Sequence, residues 1–364
     1  MLIWIGFVAM ILAFLALDLG VFHRKSHAVG VREALTWSGV WIALGLAFSV
    51  FIYFAYSNGW QGLGGTVDPI DGSVLDGSTA LVKYITGYVV EKSLSIDNVF
   101  VIAMVFAAFA VPARYQHRVL FWGIIGALIM RGVMIAAGAA LIAKFHWILY
   151  VFGAFLIVTG VKMLLMKSGH GDPSQSAIVR WTRRFIPVTS RFHGEHFVVR
   201  AGSSASREPA TPDSAAESDP AVEAARPGAL MLTPLALALI LVETTDLIFA
   251  VDSIPAIFAI TGDPFIVFTS NVFAILGLRS LYFALAGMLD RFRYLKASLA
   301  IVLALVGVKM IAAKPLKEAL GPGFNFYVLA GVLGILGAGV IASIVASRRD
   351  DAESARTAAP AAPH

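Results

Sequence analysis

The chain has 364 residues, of which 58% are hydrophobic and only 14% charged, with a mean hydropathy of +0.80. That balance lies outside the soluble range and points to a polytopic membrane protein. The absence of cysteine excludes disulfides, thiolate metal sites and cysteine nucleophiles. The net charge of +5 sits in loops beside apolar segments, so it reads as membrane sidedness and not as nucleic-acid binding.

Nine apolar runs are long enough to span a bilayer, near 2–22, 34–56, 83–110, 118–142, 146–166, 230–260, 265–289, 295–313 and 324–346. The first has Arg24 and Lys25 after it, the reverse of a cleaved signal peptide, and reads as a retained helix with its N-terminus outside. The third and sixth exceed a straight span and read as tilted or broken. Nine spans put Arg24, Lys25, Arg32, Arg114, Arg118, the basic loop 167–228, Arg291, Arg293, Lys296, Arg348 and Arg349 on one side. Asp68, Asp71, Asp76, Lys144, Asp263, Lys314, Lys317 and Glu318 fall on the other. The expectation is an all-α polytopic membrane protein, N-out and C-in, in a bacterial-type inner or plasma membrane.

The predicted divisions are two N-terminal spans with an extracytoplasmic loop (1–82), a three-helix repeat (83–166), a cytoplasmic loop (167–228), a second three-helix repeat (229–313), a last span (314–346) and a tail (347–364). The loop starts basic, RWTRRFIPVTSRFHGEHFVVR, a stretch suited to packing on the membrane surface or on the helices. It continues as an Ala/Ser/Pro-rich insert, 201–228, which reads as a flexible linker, and the tail reads as disordered.

The repeat rests on paired segments. GIIGALIMRGVMIAAG answers NVFAILGLRSLYFALAG, and VTGVKMLLM answers LVGVKMIAA. Arg131 to Lys162 is 31 residues, Arg279 to Lys309 is 30, and Glu91–Asp97 and Asp246–Asp252 share a six-residue offset. A rival register pairs Asp97 with Asp246. In either, a unit of three spans makes the second copy inverted, the plan of many secondary transporters with midplane substrate sites.

Six carboxylates fall in predicted spans: Asp18, Glu91, Asp97, Glu243, Asp246 and Asp252. Each costs roughly 2.5–3.5 kcal/mol at a helix centre on insertion scales, so each calls for a partner or a polar cavity. Glu91, Ser95 and Asn98 share a helical face, Glu243 and Asp246 are i, i+3 neighbours, and Pro255 frees the Val251 carbonyl. A cavity of carboxylates, amides, hydroxyls and carbonyls suits hard divalent cations such as Mn²⁺, Mg²⁺ or Ca²⁺. The same acids also answer Arg131, Arg279, Lys92, Lys162 and Lys309 as charge balance. Arg131 and Arg279 lie mid-helix, whereas Lys162 and Lys309 near helix ends are placed to snorkel. Set against Arg131, Arg279, Lys162 and Lys309 alone, two of the six acids remain over, which favours ion handling. Asp18 reads either as reaching the cavity or as pairing with His23 or Arg24. Asn271 reads as an interhelical hydrogen bond or a neutral ligand, the HGEH pair His193/His196 as incidental, and the glycines of AGVLGILGAGV as helix packing. No HExxH, Walker or GxSxG motif is present, so the chain reads as no enzyme and needs no cofactor.

The segments ALDLGVFHRK, EKSLSIDNVFVIAMVF, VPARYQHRVLFWGIIGALIMRG, VETTDLIFAVDSIPAIFAIT and TSNVFAILGLRSLYFALAGM resemble the TerC family of integral membrane proteins, in its Alx-like branch within the LysE-type transporter superfamily. The resemblance covers nearly the whole chain except the insert and the tail. It implies Mn²⁺ efflux across the bilayer, with older naming linking the family to tellurium resistance. It carries Asp18, Glu91, Asp97, Asn98, Glu243, Asp246, Asp252 and Ser253 over as the metal-handling set. An anion or amino-acid exporter using the intramembrane arginines, and a scaffold assisting assembly of exported proteins, stay open as rivals.

Overall fold

The computed structural model describes residues 2–17, 30–145, 147–165, 173–207, 219–285 and 294–358. Helices dominate, in order α1 Leu2–Leu17, α2 Val31–Ser57, α3 Gly77–Ala108, α4 Ala113–Lys144 and α5 Ile148–Leu165. A connecting segment carries α6 Ala177–Phe185, β1 Val198–Arg200, α7 Pro220–Ala224 and β2 Leu230–Leu232. The chain then resumes with α8 Pro234–Phe258, α9 Pro264–Leu276, α10 Leu278–Leu285, α11 Leu295–Ile311, α12 Ala313–Leu320 and α13 Phe324–Ala358. A helix satisfies its own backbone donors and acceptors, which is what an apolar chain requires where water is absent.

Six stretches are long and apolar enough to cross a membrane: α2, α4, α5, α8, Pro264–Leu285 and Phe324–Arg349. Helices also stand at the other three predicted spans. Of these, α1 and α11 have only 16 and 17 residues, and α3 carries Lys83, Glu91, Lys92 and Asp97.

Several sequence expectations change. The third span starts at Gly77, not 83, which sets Lys83 inside a helix, and that helix runs unbroken through Asp97. The sixth starts at Pro234, because residues 230–232 pair as β2 with β1, so the architecture is not purely α. The break falls elsewhere, at Gly277, which ends α9 one residue before α10 begins. The tail is helical as far as Ala358, since Ala, Glu and Arg favour a helix until Pro360. The flanks of the 201–228 insert are built into structure, while 208–218, like Asp18, lies outside the described residues.

The structure divides into two compact bodies, and the division passes within α3, α4 and α8. One comprises Met1–Glu33, Asn98–Arg131 and Ser168–Ala250. Its connecting segment folds round Val199, Ala201 and Met231, with Ala221 and Val222 packed against them. Asp219, buried, accepts from the backbone N–H groups of Ser190, Arg191 and Ala221, and His193 Nε2 lies 3.2 Å from its Oδ2. Burial raises the Asp219 carboxyl, but these backbone donors and His193 outweigh it and hold the group below its usual range. His193 is therefore a structural partner and not an incidental loop histidine.

The other body comprises Ala34–Asp97, Gly132–Lys167 and Val251–His364. In it α11 packs against α5 and α13. The α5–α11 approach is backbone-close: a Cβ on Gly160 would lie 2.6 Å from the Ala300 carbonyl oxygen, and one on Gly307 2.7 Å from that of Gly153. Small residues allow this spacing, which supplies the dispersion contacts that hold apolar helices together in lipid. The glycines of α13 behave less uniformly. A Cβ on Gly339 would strike Ser298, whereas Gly334 and Gly337 face open space and do not serve helix packing in this chain.

Gly160→Leu should cost about 1–3 kcal/mol through overpacking and lower the melting temperature of the detergent-solubilised protein, while Gly337→Leu leaves it within error. Equal melting curves for the two variants would show that the α5–α11 seam is not tightly packed.

Candidate functional site

In the first body the acids of α8 meet partners from α3 and α4. Arg131 Nη2 lies 3.1 Å from Asp246 Oδ1, and the Asn98 amide donates to the same oxygen at 3.0 Å. Arg131, Asn98 and Asp246 are all buried. Glu243, one turn before Asp246, is half-buried and interacts electrostatically with it. Glu243 Oε2 is fully covered yet has no hydrogen-bond partner. Its carboxylate fits only because position 126 is glycine: a Cβ built there would fall on the Glu243 carboxylate. The result is a pair of neighbouring carboxylates, one held by a guanidinium and an amide, the other uncompensated. Two like charges one turn apart in a low-dielectric setting repel, which makes the pair receptive to a cation or a proton.

The second body holds the remaining predicted residues. Glu91 is fully buried in α3, and Ser95 on the same face returns its hydroxyl to the Glu91 carbonyl. Asp97 is half-buried in the field of Lys296. Asp252 is half-buried, with the Thr159 hydroxyl 3.5 Å away and Lys162 acting on it from the exposed last turn of α5. Ser253, Asn271 and Arg279 are buried.

Two lysines lie in the field of carboxylates, Lys92 near Glu91 and Lys309 near Asp71 and Asp68, but spend their hydrogen bonds on backbone carbonyls. Lys92 Nζ donates to the Ala274 carbonyl at 3.0 Å, where the stop of α9 at Gly277 leaves carbonyls without intrahelical donors. Gly277 is itself required for this, since a Cβ there would lie 2.8 Å from Lys92 Nζ. Lys309, expected to snorkel, is buried instead. It donates to the Ala259 and Ile260 carbonyls at 3.0 Å each, just past the end of α8, and lies over the Phe324 ring. Both cations cap helix C-termini, where the macrodipole also favours positive charge.

The sequence reading treated Asp68 and Asp71 as loop charges and passed over Lys83. All three are buried, and Lys83 Nζ bridges Asp68 at 2.8 Å and Asp71 at 2.9 Å. Asp68 also accepts from the Thr261 hydroxyl and the Gly262 and Ile70 amides. A lone lysine in the apolar run ALVKYITG was the available signal, because such a charge needs an acid close by. Gly126 carried no such signal.

Among the described residues no three His, Asp or Glu side chains are grouped to hold a metal ion. The first-body set offers two carboxylates and one amide, so any divalent ion there would complete its shell with water or carbonyl oxygens.

A family model for integral membrane proteins of the TerC family matches residues 76–351. The chain belongs to the TerC family. Among similar proteins is "Uncharacterized membrane protein STKORF319" of Myxococcus xanthus, 45% identical over 95% of this chain and 93% of that protein. Another is "Putative membrane-bound redox modulator Alx" of Escherichia coli K12, 42% identical over 91% of this chain and 94% of the relative. A membrane protein of Rickettsia bellii is 38% identical over 84% of this chain. No solved structure matches. This TerC chain is thus an integral membrane protein with bacterial membrane relatives.

Removing one partner of a buried pair strands the other charge at a cost of about 3–5 kcal/mol. Arg131→Met and Asp246→Asn should each destabilise this TerC protein, and the double variant should lose much less than the sum. Additive losses in thermal unfolding would disprove the coupling.

Asp71, in the extramembrane loop before α3, gives a pH prediction. Burial pushes its carboxyl up, but Lys83 and then Lys309 pull it down further, and the net position is well below the usual range. A depressed folded-state value means that the stabilisation is complete above the unfolded value near about 4 and is lost as pH falls below it. Amide-exchange protection across residues 66–76, corrected for the intrinsic pH dependence, should hold down to about pH 4 and fall below, and Asp71→Asn should flatten that acid-dependent fall. An unchanged fall in the variant would place the titration elsewhere.

Proposed function

We propose that this TerC protein is a secondary transporter, not an enzyme, that exports divalent metal ions with Mn²⁺ as its cargo. The observation that carries the proposal is the Glu243–Asp246 pair, in which one buried carboxylate oxygen has no hydrogen-bond donor while its neighbour is held by a guanidinium. Hard oxygen donors suit Mn²⁺, and the chain offers no thiolate.

In this reading Arg131 is a tethered counter-cation. It neutralises Asp246 when no ion is bound and yields the carboxylate to the metal, with Glu243 and the Asn98 amide as further donors. Glu91, Asp97, Asp252, Ser253 and Asn271 are further metal-handling residues in this reading, with Arg279 as a counter-charge. Protons compete for the same carboxylates, since acids that release metal take up protons, and so provide the exchange partner. Alternating access follows from an inverted repeat. Support for that comes from the paired sequence motifs and from the helix order, α3–α4–α5 answered by α8, the interrupted α9–α10 and α11. The distribution of basic loops supports an N-out, C-in orientation. The E. coli relative is described as a redox modulator. Without cysteine this chain has no thiol–disulfide couple, so a redox effect would act through the ion it moves.

The test is Mn²⁺ flux in proteoliposomes containing the purified protein. Wild type should move Mn²⁺, and Glu243→Gln and Asp246→Asn should lose about tenfold or more, in line with removal of a charged ligand. Gly126→Ala, which displaces the Glu243 carboxylate, should raise the Mn²⁺ concentration needed for half-maximal flux. Wild-type flux in both acid variants would sink the assignment.

A further inference from the structure

The helix α6 has a surface that neither the ion site nor the protein core uses. It turns Val179, Thr182 and in part Ile178 inward and leaves its other residues exposed. Trp181 and Phe185, four residues apart and therefore on one face, are 66% and 64% exposed, and their rings meet in a tilted pair with centroids 4.8 Å apart. Ile186 extends this apolar patch at the helix end, 41% exposed. Arg180 and Arg184 form a parallel exposed row beside the aromatics, with Arg183 next to them, and the helix contains no acid.

Two large aromatics exposed side by side are costly on a surface facing only water, and three arginines surround them. An indole with its apolar body and polar N–H is suited to the boundary between acyl chains and headgroups, and an arginine fork beside it is suited to phosphate. The position along the chain agrees. α6 begins twelve residues after the spanning helix α5 ends, a separation of at most about 40 Å of extended chain, so it cannot leave the neighbourhood of the bilayer. We propose that α6 docks on the surface of its own bilayer as an interfacial anchor, with Trp181, Phe185 and Ile186 entering the headgroup boundary and Arg180, Arg183 and Arg184 binding anionic lipid phosphates. The anchor holds the connecting segment, and with it the Asp219–His193 fold, against the membrane. It stands independently of what the protein transports.

The absence of cysteine makes the experiment direct. A single Ile186→Cys, labelled with an environment-sensitive fluorophore, is compared in lipid nanodiscs of phosphatidylcholine alone and of phosphatidylcholine with phosphatidylglycerol. Glu223→Cys on the exposed part of α7 is the control. The label at 186 should shift to the blue and be quenched by nitroxide-bearing lipids in the discs containing phosphatidylglycerol, and the label at 223 should not. High salt, or Arg180, Arg183 and Arg184 all changed to Gln, should abolish most of the shift while the full-length protein stays monodisperse. Identical emission at 186 in both lipid compositions, with or without the arginines, overturns the proposal.

Discussion

Where no water can reach, every charge and every backbone carbonyl has to find its partner inside the protein. The second body meets this constraint with lysines. Lys83 joins Asp68 to Asp71, and the same Asp68 carboxylate receives the Thr261 hydroxyl and the Gly262 amide just beyond α8. Lys309 takes the carbonyls of Ala259 and Ile260 at that same helix end, and Lys317 reaches the Asp71 carbonyl from α12. The loop before α3, the end of α8 and the α11–α12 segment are thereby fastened through charge-assisted hydrogen bonds, which are roughly twice as strong as neutral ones. Packing on glycines alone, as between α5 and α11, specifies distance but not rotation or register. The lysine contacts fix both for the loop before α3, the end of α8 and the α11–α12 segment.

The same constraint explains how a helix can stop at Gly277 in a fully buried setting. Ending a helix there exposes carbonyls that lipid cannot satisfy, and Lys92 satisfies one of them. The glycine leaves room for the ammonium there. Broken helices of this kind are tolerated where the freed backbone groups are met by protein or line a polar path. In the first body two neighbouring carboxylates are met unequally. Asp246 is met by Arg131 and Asn98, while Glu243 keeps a covered oxygen without a donor. That oxygen sits beside a second carboxylate, which is why the proposed ion site is placed at this pair.

Membrane character, the helical class and the family were legible in the chain itself, because hydropathy over some twenty residues and the two long acidic motifs do not depend on folding. The pairing of charges was not. Arg131 was recognisable as needing an acid, but six acids were available, and only the packing of α4 against α8 selects Asp246. Lys92 and Lys309 looked like further charge balance. Their hydrogen-bond acceptors are carbonyls, which every residue carries and which no composition or spacing can reveal. Lys83 was hidden by its position at the edge of the expected span.

By itself, then, the sequence determined that the chain lives in a bilayer, where its helices lie and which side chains are too costly to be incidental, since these follow from transfer energies of local segments. Tertiary structure alone decided which charges meet, that α9 stops at Gly277 and that Gly126 makes room for Glu243, because each depends on atoms far apart in the chain. A buried charge states in the sequence that it needs a partner, and the partner's identity is settled by packing.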